Sequence, residues 1–148
     1  MIERTVEASL RRFLLVVAGC VFAGTVVELL FVGHAESIIQ LVPFVLCAVG
    51  ALVVVVAFYA PRRRSLRALR GVMVLMVLGS GFGIYEHLTH NFAFELEIRP
   101  NATVGDVFWE ALAGASPLIA PGILALAAVL AIAATYRHPL LEKAREKS

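Results

Sequence analysis

The run FLLVVAGCVFAGTVVELLFVG, from Phe13 to Gly33, decides the fold class: it is apolar throughout except for the single acid Glu28. A bilayer core of about 30 Å is crossed by about 20 helical residues, and this run meets that length. Three more stretches do the same. Ile38 to Ala60 carries no formal charge, Gly71 to about Phe94 is apolar as far as Tyr85 and then turns polar, and Val107 to Tyr136 holds one acid, Glu110. The segmentation predicts an all-α integral membrane four-helix bundle, a single transmembrane domain over residues 1–148 with spans at about 13–33, 38–60, 71–94 and 107–136. The first run is longer than the apolar core of a signal peptide, and no clear small-x-small site precedes a soluble domain, so it is expected in the mature chain.

Composition agrees. Of 148 residues, 60% are hydrophobic, and the mean hydropathy is +0.87, whereas a soluble domain is roughly half apolar. The net charge of +2 conceals an uneven distribution. Arg4, Arg11 and Arg12 precede the first span; Arg62, Arg63, Arg64, Arg67 and Arg70 fill the second connection; Arg137, Lys143, Arg145 and Lys147 follow the fourth span. Only Arg99 lies on the other side. The positive-inside bias therefore predicts both termini and the Pro61 to Arg70 loop in the cytoplasm. The expected location is the bacterial cytoplasmic (inner) membrane, with the lipid bilayer as the first partner. No basic patch interleaved with aromatics points to nucleic acid. Cys20 and Cys47 have no metal-type spacing and read as small apolar residues.

Counting upward from the cytoplasmic arginines at 1.5 Å per residue places Glu28, Glu86 and Pro121 at one level, about 24 Å up and just below the outer boundary. A carboxylate in hydrocarbon costs several kcal/mol unless it is paired, protonated or bound to a cation. Above this level the turn Gly33-His34-Ala35-Glu36 adds an imidazole and a carboxylate. The third span ends Tyr85-Glu86-His87-Leu88-Thr89-His90-Asn91. On a helix Glu86 and His90 are i,i+4 neighbours and His87 and His90 are i,i+3 neighbours, so one turn can present a carboxylate and two imidazoles.

The expectation is thus an extracytoplasmic-side pocket in which Glu86, His90 and Glu28 bind a divalent transition metal, with His87, His34 or Glu36 completing or orienting the ligand set. Oxygen and nitrogen ligands suit zinc, iron or manganese. The pattern is not that of the di-iron bundles, which repeat Glu-x-x-His on two helices. The same acids read equally as structural hydrogen-bonding or proton-transfer groups in an accessory or assembly subunit of a larger membrane complex, with a membrane-protein partner or a homo-oligomer. A third reading is a haem or quinone site, with His34 opposite His87 or His90 as axial ligands, or Tyr85 and Phe82 beside a quinone. No nucleophile elbow, phosphate loop or paired CxxC selects a reaction.

Pro43, Pro117 and Pro121 should release the carbonyls of Ile39, Ala113 and Pro117, all in the outer half. Gly79 and Gly83 have the spacing that lets a second helix approach closely. Thr103 with Asp106 resembles a capping arrangement ahead of the fourth helix. Glu95, Glu97 and Asp106 are expected on a solvated loop, with Arg99 pairing one of the glutamates.

Overall fold

A computed structural model describes residues 2–35 and 37–142. All its regular elements are helices: α1 (Ile2–Phe31), α2 (Ile38–Tyr59), α3 (Arg63–Ile98), α4 (Phe108–Leu112), α5 (Ile119–Ala133) and α6 (Pro139–Glu142). Among the described residues there is no strand. Three of the helices, Thr5–Phe31 within α1, Ile38–Tyr59 and Arg63–Ile98, are long and apolar enough to cross a membrane.

Local chemistry sets the boundaries. Gly33 adopts φ +66°, the left-handed conformation that costs glycine least, and it ends α1. His34 N–H donates to Leu29 O at 3.0 Å and Gly33 N–H to Leu30 O at 3.3 Å, the paired bonds of a Schellman motif. Four residues later the chain starts α2 with a capping box in which Gln40 N–H donates to Ser37 Oγ and Ser37 N–H to Gln40 Oε1. The second connection is equally short. Pro61 follows the end of α2, and the Ser65 hydroxyl accepts from Arg62 N–H at 2.8 Å while donating to Ala60 O at 2.9 Å.

The helix α3 exceeds its expected span at both ends. Its 36 residues extend about 54 Å, well beyond the hydrocarbon thickness. The arginine segment belongs to its first turns rather than to a loop, and Glu95 and Glu97 belong to its last. Leu, Arg and Ala favour helix in water as well as in lipid. Nothing breaks the pattern before Pro100, which bars the preceding Arg99 from helical geometry.

The fourth apolar segment departs the other way. One span was expected over 107–136, whereas the chain forms the short α4, leaves the helix between Ala113 and Leu118, and resumes as α5. Pro117 supplies no N–H and its ring excludes the preceding turn. Pro121 lies near the start of α5, where a missing donor costs little, and α2 runs through Pro43 without interruption.

Around the core, α1 adjoins α2 and α5, and α3 adjoins α2 and α5, while α1 and α3 make no close backbone approach. Phe22, Cys47, Leu69, Met73 and Met76 are fully buried at the centre. Ala127, Ala128 and Ala131 present a smooth α5 face to them. Gly50 makes the centre possible: a Cβ there would lie 2.7 Å from Met76 Cε and 3.1 Å from the Phe22 ring. Side chains of the opposed helices α1 and α3 thus meet over the bare backbone of α2. Both cysteines are free thiols, Cys47 buried and Cys20 exposed.

The arginine-rich segments gather at one end. Arg70 donates through Nε to Thr135 Oγ1 at 2.7 Å and through Nη2 to Thr135 O at 2.8 Å. These bonds satisfy backbone at the C-terminus of α5, where a cation is also favoured by the helix dipole. Beyond it Arg137 turns left-handed, φ +46°, and its carbonyl accepts from Arg11 Nη2 at 3.3 Å.

Candidate functional site

The most densely bonded polar region lies where α3 faces the break between α4 and α5. Gly83, His87, Asn91 and Glu95 follow one another at i,i+4 spacing and so share one stripe of α3. Each meets the fourth segment or its attached charges.

At the lowest step, Gly83 lets Pro121 approach until a Cβ at Gly83 would lie 3.1 Å from Pro121 Cβ. Gly79 instead faces α2, with Leu46 Cδ1 3.5 Å from the corresponding Cβ position. The two glycines expected to admit one helix therefore admit two different ones. One turn higher, His87 Nδ1 lies 2.9 Å from Pro117 O. A carbonyl can only accept, so Nδ1 carries the proton, and in the neutral ring Nε2 keeps its lone pair. This carbonyl is one of those that the sequence places without a helical partner, Pro121 having no N–H to offer it.

Asn91 occupies the next turn and is 2% exposed. Its Nδ2 donates to Ala111 O and to Ser116 O, both at 2.9 Å, and its Oδ1 accepts from Ser116 N–H at 2.9 Å. One side-chain amide thus serves three backbone groups at the break, the N–H and carbonyl of Ser116 and the carbonyl of Ala111, which also accepts from Gly114 N–H at 3.4 Å, so that the non-helical backbone is not left unpaired. The fit depends on Gly114, where a Cβ would lie 2.5 Å from Asn91 Cγ. Sequence reasoning reached Asn91 only as the end of a motif. Its position at i+4 from His87 and i+8 from Gly83, opposite a Gly-Ala-Ser-Pro break, was the available signal.

Above Asn91, Arg99 bridges two acids, with Nη1 3.1 Å from Glu110 Oε1 and Nη2 3.6 Å from Glu95 Oε2. The sequence places Glu95 on a solvated loop, yet it lies in the last turn of α3 and its side chain is 13% exposed. The pairing of Arg99 with Glu95 agrees with the sequence, and Glu110 is an addition. In the following loop Thr103 donates to Asp106 Oδ2 from its N–H at 2.8 Å and from its hydroxyl at 2.7 Å. Those two bonds, the backbone one first, hold the Asp106 carboxyl below its ordinary pKa. They close a turn just before α4 rather than capping it, the residue at its N-cap being Val107.

The anticipated metal ligands are distributed differently. Glu28 is exposed on α1, and α1 packs on α2 and α5 but not on α3. Glu86 and His90 are exposed on α3, one turn apart. His87 is half-buried and bonded to Pro117. His34 is half-buried beyond the end of α1, Tyr85 and Phe82 are exposed, and Glu36 lies outside the described residues. Among the described residues no three His, Cys, Asp or Glu side chains are grouped so as to hold a metal ion. The topology explains the separation. Two short connections make α1–α2 and α2–α3 neighbours, α5 fills the gap between α3 and α1, and the first and third helices stand at opposite corners.

Within one chain the region can hold an imidazole in a defined tautomer, satisfy a broken helix and pair charges above it. Comparison with protein-family models, with curated proteins and with solved structures finds no match.

Proposed function

We propose that this chain is a four-helix integral membrane bundle with both termini cytoplasmic, and that it serves as an accessory or assembly subunit of a larger membrane complex. One observation carries the reading: Glu28 and Glu86 are both exposed, on helices that do not adjoin. At the depth given by their distance from the arginines, a carboxylate facing hydrocarbon costs several kcal/mol. Polar groups of a neighbouring membrane protein remove that cost. The experiment is extraction of the tagged chain from native membranes in mild detergent, with crosslinking before extraction. A larger complex is expected, depleted by Glu28→Ala and by Glu86→Ala. Recovery of single chains, with no crosslinked species, rejects the proposal.

A second reading is favoured by His87. An imidazole whose Nδ1–H is held by a backbone carbonyl has the orientation and tautomer commonly imposed on metal-ligating histidines. Glu86, His90 and His87 then form part of a site for a divalent transition metal (zinc, iron or manganese), with Glu28 of a second copy as a further ligand. Metal analysis of the purified oligomer decides it: stoichiometric metal lost in Glu86→Ala and His90→Ala supports the site, and its absence in the unmutated protein rejects it.

A further inference from the structure

At the arginine end, where the first turns of α1, the α2–α3 turn and the end of α5 converge, there is a cavity of about 190 Å³ lined in part by Arg11, Arg12, Pro61, Thr135 and His138. We propose that this cavity binds an anionic phosphate group, presented either by an acidic phospholipid headgroup or by free phosphate. The proposal uses the orientation given under Proposed function only to assign the leaflet.

The charges around the cavity are not balanced internally. Arg70 is committed to Thr135 and holds one wall in place. Arg11 contacts Glu7 at 2.9 Å, and the Arg137–Glu142 pair stands at 3.7 Å. Arg12 has neither an acidic partner nor a hydrogen bond among the described residues, although it lines the cavity. His138 sits where positive potential accumulates: its pKa is lowered by burial and then by the charges of Arg11 and Arg70. A guanidinium offers paired donors that match phosphate oxygens, which makes Arg12 the free half of a phosphate clamp.

The surroundings suit a lipid. On the other side of Arg11 a second groove of about 270 Å³ runs between α1 and α5, lined by Leu10, Leu14, Ala133 and Tyr136 together with the charged Glu7 and Arg137. Arg11 lines both the cationic cavity and this groove, whose walls are mainly apolar, the arrangement needed for a headgroup with its acyl chain alongside. Basic pockets at the cytoplasmic ends of membrane helices recognise acidic headgroups by this combination.

The test uses the full-length chain in detergent, with thermal stability titrated against phosphatidylglycerol, phosphatidylcholine and, at matched ionic strength, sodium phosphate. Phosphatidylglycerol is expected to raise the Tm and phosphatidylcholine to leave it unchanged. Arg12→Gln should weaken the apparent affinity about tenfold, the loss of one charge-assisted contact, without altering Tm in the absence of lipid. Arg64→Gln, exposed and outside the cavity, should change the affinity less than twofold. Stabilisation by phosphate as well, lost in Arg12→Gln, assigns the free anion; stabilisation by phosphatidylglycerol alone assigns the lipid. Equal shifts from the two lipids, equal losses in Arg12→Gln and Arg64→Gln, or no shift from either phosphate source overturn the proposal. An inverted orientation would move the site to the other leaflet and leave these affinities unchanged, so the two failures are separable.

Discussion

Replacing Asn91 by alanine tests the account of the broken fourth segment. The side chain is 2% exposed and makes three hydrogen bonds of 2.9 Å, two to the carbonyls of Ala111 and Ser116 and one from Ser116 N–H. Side-chain hydrogen bonds between membrane helices average about 0.6 kcal/mol each, and those in soluble proteins about 1 kcal/mol. Three of them give a loss of about 2–3 kcal/mol in Asn91→Ala. Asn91→Asp retains the acceptor but removes both amide donors, and it should lose at least two thirds of that amount. Reversible unfolding in mixed micelles measures the totals, and amide hydrogen exchange localises them. The amide of Ser116 should lose protection in Asn91→Ala while α2 keeps its own. A loss below about 0.5 kcal/mol, or unchanged exchange at Ser116, would refute the claim that this amide serves the backbone at the break.

Gly50→Val should destabilise the protein by about 1–3 kcal/mol, the usual cost of overpacking, because a Cβ there would lie 2.7 Å from Met76 Cε and 3.1 Å from the Phe22 ring; the same unfolding assay reads it, and a neutral effect contradicts the described centre. Glu110→Ala should cost less than about 1 kcal/mol in the same assay, since the Arg99 guanidinium and the Glu110 carboxylate are 45% and 42% exposed and solvent screens such pairs. His138 binds a proton more weakly in the folded chain than when unfolded, through burial first and then Arg11 and Arg70. The unfolded state therefore takes up more protons just below the ordinary histidine range, so the stability that neutral His138 permits is lost as pH falls through that window. His138→Gln should flatten the Tm-against-pH curve there and leave it unchanged above pH about 7.5.

What the sequence alone determined follows from properties that each segment carries by itself. Three long, largely apolar runs correspond to three helices of crossing length, and Gly33 and Pro61 mark helix ends because turn chemistry acts over a few residues. The clustering of Arg11, Arg70 and Arg137 at one end was legible in the same way, as was the orphaned Pro117 carbonyl. Hydropathy marks the apolar run but not the helix ends: α3 runs on into the arginine segment and out to Ile98, since residues that favour helix continue it past the apolar stretch. Only the tertiary structure decided which faces meet. Counted from the arginines, Glu28 and Glu86 have the same height, and such a height is a one-dimensional count along each helix. Whether they also share a pocket depends on the rotation of each helix and on which helix stands beside which, both set by side chains from several segments at once. Phe22 and Met76 meeting over Gly50 point α1 and α3 towards a common centre with their acids turned outward, and Asn91, inconspicuous in the chain, gains its role from Ser116 in a break 25 residues away.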